Sequence, residues 1–167
     1  MDTKISEFFQ QFNREQMHRI WQAAKSGDLD ILDDEEKQFA EIMLDHEEEY
    51  GDHFSFKIHS QDYHYDPDKD EVNPFLHITF HSIIENQIKE REPIEAFQFY
   101  NAMLGKKMDR HDVIHLLANV FTPFLFDVMK NHNEFNLELY LDILRKCKKS
   151  KPHKVWDDVE REIDRYF

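Results

Sequence analysis

Two pairs of histidines in this chain have a spacing that suits metal binding. His77 and His81 form one His-x-x-x-His pair, and His111 and His115 form the second. On an α-helix, side chains four residues apart lie on one face, one turn above the other. Two imidazoles placed in this way can hold a single metal ion, as they do in zinc-protease helices. Glu85 lies one further turn along the first helix, and a carboxylate with imidazoles suits zinc, iron, manganese or nickel.

Both pairs are expected on apolar, core-facing helix faces. At about 100° per residue, Ile84 and Ile88 lie within about 20° of His77, and His81 lies about 40° away. The second pair is similar, with Ala118, Thr122, Leu125 and Met129 within about 40° of His111 on the same helix. Buried imidazoles are costly unless each finds a partner. A metal ion would satisfy them together, whereas hydrogen bonds between helices would do so without any ion.

His46 is a further candidate for this site. It follows Phe39, Ile42 and Met43 at steps of three and four residues, so it lies on the apolar face of an earlier helix. Its position predicts either an optional ligand or a residue that supports the ligands.

Helices must position these side chains, and apolar residues three and four apart predict them along most of the chain. Gly27 should end the first helix, Asp33 with Glu36 forms a capping box, and Asn73 before a proline is a favoured helix start. Pro123 should kink the helix that Asp109 caps. The alternating stretch 54–58 is either a short strand or an extended loop. Helices are expected at about 5–24, 33–50, 73–90, 93–105, 109–129, 136–147 and 153–166.

The composition favours an all-α fold. The chain of 167 residues is 40% hydrophobic, and its 15 Phe supply a core, whereas 3 Gly and 5 Pro give few turns for a β fold. We expect a helical bundle of about four main helices with peripheral ones. Residues 1–150 would form the bundle domain that contains the His pairs, and 151–167 an amphipathic helix packed on it.

Charge and targeting signals restrict the partners and the compartment. There are 35 Asp and Glu against 21 Lys and Arg, a net charge of −14, which repels a phosphate backbone. The one basic cluster, Lys146 to Lys154, is interpreted as a solvated connector, so no nucleic-acid partner is expected. Cys147 is the single cysteine, no signal peptide is recognised, and no continuous apolar run reaches the ~20 residues of a membrane span. The prediction is a cytoplasmic protein with no membrane partner.

Other recognisable chemistry is missing. The residue after His77 is Ile78, so the glutamate that zinc proteases use as a general base is lacking. The acidic stretch 66–70 resembles the start of a calcium loop, but the glycine and the final glutamate of that loop are replaced by Glu71 and His77. No glycine-rich phosphate loop occurs.

The string Asn-Pro-Phe-Leu-His-x-x-x-His at 73–81 resembles the signature of an uncharacterised bacterial family, the domain of unknown function DUF1841. The resemblance extends from the region of Arg14 to about Lys146 and includes the second His pair. It implies no established activity. Relatives in this family often have a carboxylate one turn after the second histidine of the second pair, and here Asn119 takes that position. Asn119 is therefore an optional or supporting ligand, which weakens the case for a two-metal site.

Two hypotheses about function remain. The first is a metal-binding helical bundle, with His77, His81, His111, His115 and Glu85 as ligands of a divalent zinc, iron or manganese ion. Such a site would serve a metal-dependent enzyme if it kept an open coordination position, and the sequence leaves the catalytic question open. The alternative is a non-enzymatic interaction module with structural core histidines, whose acidic surface would bind a basic protein partner. The oligomeric state is not determined by the sequence.

Overall fold

The computed structural model describes residues 14–55 and 72–167, and all the regular structure in these two ranges is helical. The predicted all-α fold is confirmed. Single turns of 3₁₀-helix lie at Leu29–Ile31 and Pro152–Lys154. The eight α-helices of the described ranges are α1 (Arg14–Ser26), α2 (Asp34–Asp45), α3 (Glu47–Phe54), α4 (Pro74–Glu90), α5 (Ile94–Gly105), α6 (Arg110–Asn131), α7 (Leu137–Cys147) and α8 (Val155–Ile163).

The backbone contacts divide the chain into two compact units. Described residues up to Ser82 belong to the N-terminal unit, and those from Ile83 onward belong to the C-terminal unit. The boundary falls inside α4. Helices α1 to α3 and the first half of α4 therefore form one unit, and the second half of α4 with α5 to α8 forms the other.

The N-terminal unit is built around an aromatic and aliphatic core. Helix α1 packs against α2 and α3, and buried side chains come from all three and from α4. Trp21 lies against Phe54, with ring centroids 5.4 Å apart, and its indole Nε1 donates a hydrogen bond to Ser55 Oγ at 2.9 Å. The members of this core include Met17, Ile20, Trp21, Phe39, Met43, Tyr50, Phe54 and Ile78.

The start of α2 confirms the predicted capping box. Asp33 Oδ1 accepts a hydrogen bond from the Glu36 backbone N–H at 2.8 Å, and Glu36 Oε2 accepts one from the Asp33 N–H at 3.3 Å. The Glu36 side chain is also paired with Arg19 of α1. The same glutamate therefore closes the helix end and connects two helices.

Removing the cap should cost measurable stability. We expect Asp33→Ala to lower the free energy of unfolding by about 1 kcal/mol, because it leaves the Glu36 N–H without its side-chain acceptor. Asp33→Ser keeps an acceptor at this position and should change stability by only a few tenths of a kcal/mol. Urea unfolding followed by circular dichroism measures both variants. Equal losses in the two would mean that the aspartate stabilises the unit by something other than capping.

The C-terminal unit is centred on α6, with α5, α7 and α8 packed around it. Tyr140 is buried and its hydroxyl donates to Gln87 Oε1 at 2.8 Å. Pro123, where the sequence predicts a kink, lies within α6, and the helix continues past it to Asn131. By length and composition alone, α6 is the one described helix that could cross a membrane, although the sequence predicted no such segment. Half of its most apolar window is buried, and the core helix of a soluble protein would pass the same test of length and composition.

Most predicted helix boundaries are confirmed. Gly27, with a φ of 76°, ends α1, and Asn73 Oδ1 accepts from the backbone N–H groups of Phe75 and Leu76 at the start of α4. One boundary was wrong: the helix expected over 33–50 is two helices, which meet at His46. Phe54 ends α3 instead of beginning a strand or an extended loop, and the predictions for 5–12 and 56–71 lie outside the described residues.

Candidate metal centre

Three histidines converge within the N-terminal unit. His46, His77 and His81 each offer a ring nitrogen, and these nitrogens lie within 4.8 Å of one another. The ring centroids are 4.9 Å apart for His46 and His77, 4.5 Å for His46 and His81, and 4.7 Å for His77 and His81. We call these residues the three-histidine cluster. It unites one sequence-predicted pair with the residue that was expected to be optional.

Helix α4 positions two members of the cluster. Asn73 caps the helix, so the turn that contains His77 is regular. The backbone N–H of His77 donates to the Asn73 carbonyl at 3.0 Å. His81 follows one turn later on the same face, and only 4% of it is exposed, whereas His77 is half-buried. The prediction that this pair faces inward is therefore confirmed.

The break between α2 and α3 positions the third member. His46 is the C-cap of α2 and the N-cap of α3. Its backbone N–H donates to the carbonyls of Ile42 and Met43, and its own carbonyl accepts from the N–H groups of Glu49 and Tyr50. The imidazole is 4% exposed. The interruption thus directs the side chain inward from a backbone that is held on both sides.

A hydrogen bond also defines which ring nitrogen of His46 can bind a metal. Nδ1 lies 2.8 Å from the Ile42 carbonyl oxygen, which can only accept. Nδ1 therefore carries the proton, and the neutral ring has its lone pair on Nε2. A histidine ligand whose other nitrogen donates to a backbone carbonyl is a common arrangement in metal sites, because that bond orients the ring.

Tyr50 forms an aromatic wall beside the cluster, and sequence reasoning missed it. Its ring stacks on His46 at 6.2 Å between centroids and meets His77 edge-on at 5.3 Å. Burial, together with a hydrogen bond to Glu49, raises the pKa of the Tyr50 hydroxyl well above its usual range. Its place on the turn after His46 could have been found only once the helix break was located.

The spacing of the nitrogens is compatible with one ion. A tetrahedral zinc ion with Zn–N bonds of about 2.0–2.1 Å holds its nitrogens about 3.4 Å apart. The rings of the cluster would have to approach one another by no more than about 1.4 Å. No carboxylate or thiolate of residues 14–55 or 72–167 shares this group of ligand atoms.

Glu85 is placed with a cation and not with a histidine pair. Both of its carboxylate oxygens accept from Arg110 Nη2 at 2.6 Å, within the C-terminal unit. Coulombic attraction and hydrogen bonding from Glu85 raise the pKa of Arg110, although burial opposes them and is the largest single contribution. The carboxylate that the sequence offered as a ligand already neutralises a guanidinium.

The second histidine pair lies in the C-terminal unit. The rings of His111 and His115 are 4.3 Å apart, as expected for one face of α6. His111 is exposed, so the prediction that both members face the core was wrong for this residue, while His115 is half-buried. His111 lies in the first turn of the helix, where its N–H donates to the capping Asp109 carboxylate. Asn119, one turn beyond His115, is exposed as well.

The chain was compared with known protein families, curated proteins and solved structures. No curated protein and no solved structure matches it. A family profile matches residues 10–146, which span the three-histidine cluster and both His pairs. The protein therefore belongs to the family described as the domain of unknown function DUF1841.

Proposed function

We propose that this protein binds a divalent transition-metal ion through the three-histidine cluster. The observation that supports the proposal is the convergence of ring nitrogens from His46, His77 and His81 within 4.8 Å in a largely buried site. Imidazole nitrogens suit zinc, copper, nickel and iron, whereas magnesium and calcium prefer oxygen ligands. In this proposal His46 is a principal ligand, whereas the sequence alone made it an optional one.

The bound ion would connect segments that are distant in the sequence. His46 comes from the junction of α2 and α3, while His77 and His81 come from α4, so the ion would tie that junction to the first half of α4. If only three protein ligands hold the ion, a position remains for an exogenous molecule, as in catalytic zinc sites. This is the basis on which an enzymatic role is proposed.

The second pair and Glu85 remain candidates on sequence grounds. His111 and His115 have the spacing of a chelating pair, and each can be tested by substitution without assuming its role. Glu85 is the weaker candidate, since its carboxylate is engaged by Arg110. If His115→Ala lowers the affinity for zinc as much as His81→Ala does, the second pair contributes to the same site.

Elemental analysis tests the proposal directly. We expect untagged protein purified without chelator, or reloaded with zinc and dialysed, to hold about one metal ion per chain. The His77→Ala/His81→Ala double variant should lose it, because two of the three imidazoles of the cluster are removed. The matched control is His132→Asn/His153→Ala, which removes two exposed histidines outside the cluster and should retain the ion.

The opposite result is equally informative. Wild-type protein that takes up no zinc, iron, manganese or copper would contradict metal binding. The cluster would then be a structural feature of the core, and the search would turn to a protein partner for the acidic surface. If the double variant retains the ion, the ion does not depend on His77 and His81. If the control loses it at the same time, the site involves the exposed histidines instead.

A further inference from the structure

We infer that the metal centre recruits a small anion as an additional ligand. The inference rests on the proposed metal binding and concerns the charge of the site. Neutral imidazoles leave the full 2+ charge of the ion uncompensated, and the group of ligand atoms contains histidines alone among the described residues. An uncompensated charge in a buried site is unfavourable, so the ion should attract an anion into its coordination sphere.

The groups around the cluster increase this demand for negative charge. The second nitrogen of His46 donates to the neutral carbonyl of Ile42, whereas a carboxylate in that place would have offset part of the ionic charge. The positive end of the α4 dipole lies near His77, which follows the helix start by three residues.

The carboxylates that follow His46 along the chain are turned to solvent. Glu47, Glu48 and Glu49 directly follow His46 in the first turn of α3, and all three are exposed. Glu47 is also paired with Lys25. Exposed charges are screened by water and salt, so they offset a buried ion only weakly. Since no carboxylate of residues 14–55 or 72–167 belongs to the group of ligand atoms, we expect a diffusible anion small enough to enter the first coordination sphere to neutralise the ion.

The experiment uses cobalt as a spectroscopic substitute for zinc and azide as the anion. The full-length protein loaded with Co²⁺ is titrated with sodium azide at constant ionic strength, which is maintained with the non-coordinating perchlorate ion. We expect saturable changes in the visible d–d absorption of the cobalt, with one azide bound per ion. The His77→Glu variant is a matched test, because it places an anionic ligand in the cluster. If it binds Co²⁺, its azide affinity should be weaker by about tenfold or more.

The possible outcomes separate the two claims. If the protein does not bind Co²⁺, or binds it equally after His77 and His81 are replaced by alanine, the proposed metal site itself fails and the inference falls with it. If Co²⁺ binds through the cluster but azide leaves the spectrum unchanged, the metal site stands and the anion inference is overturned. Equal azide affinity in the wild type and in His77→Glu would also overturn it, because charge would then not control the binding.

Discussion

Zinc should stabilise the N-terminal unit by about 4 kcal/mol when its free concentration is about a thousand times its dissociation constant. The reason is linkage: an ion that binds the folded arrangement of His46, His77 and His81, and not the unfolded chain, shifts the equilibrium toward the folded state. At a urea dependence of about 2 kcal/mol per molar, the unfolding midpoint should rise by about 2 M. Circular dichroism in urea, with and without zinc, measures the shift.

The variant that isolates this effect is His46→Leu. Leucine fills much of the buried volume of the imidazole, and the Ile42 carbonyl still accepts from the backbone N–H of residue 46, so the metal-free protein should lose little stability. The increment from zinc should nearly disappear. His153→Ala, an exposed substitution outside the cluster, should keep the full increment. A zinc-induced rise that survives His46→Leu would show that the ion stabilises the protein from another site.

Phe39→Ala should be among the most destabilising single substitutions in the N-terminal unit, with a loss of about 3–5 kcal/mol. Phe39 has no exposed surface and belongs to the same core as Trp21, Phe54 and Ile78. Truncation removes the apolar contacts of the ring and leaves a cavity that the surrounding helices can fill only in part. Urea unfolding provides the measurement.

The control for this prediction is another phenylalanine on a helix. Phe126 in α6 is 47% exposed, so Phe126→Ala should cost clearly less than Phe39→Ala. Similar losses for the two would mean that burial in the described core does not determine how much each ring contributes to the free energy of unfolding. The comparison also tests whether metal binding depends on the core, because a folded Phe39→Ala protein with reduced zinc uptake would connect the two.

Local signals in the sequence were sufficient for much of the fold. The capping box at Asp33 and the Asn73 cap act within four residues, so their hydrogen bonds can be predicted without knowledge of tertiary structure. The inward direction of the His77 pair followed from helical periodicity for the same reason. Periodicity was less informative for His111, because the first turn of a helix can extend beyond the core that covers the following turns.

The remaining part of the site depends on contacts that no local pattern encodes. The break at His46 occurs without glycine or proline, so no residue type marks the end of a helix there. The pairing of Glu85 with Arg110 joins residues 25 positions apart. A helical wheel places the Glu85 carboxylate on a face of its helix, but it does not show a partner that comes from another helix. In the proposed site, His46 is therefore a principal ligand and Glu85 is the weaker candidate.

The helix break at His46 also has a consequence for the order of events during assembly of the site. Its backbone is fixed by bonds to the turns before and after it, and the Ile42 carbonyl holds the ring. Little conformational freedom is left for an arriving ion to remove, so this donor is preorganised. In a chain that had to fold around the metal, the formation of a rare ordered state would limit the rate of metal binding. Here the slow step of capture should instead be the loss of water from the ion, as in a rigid synthetic chelator.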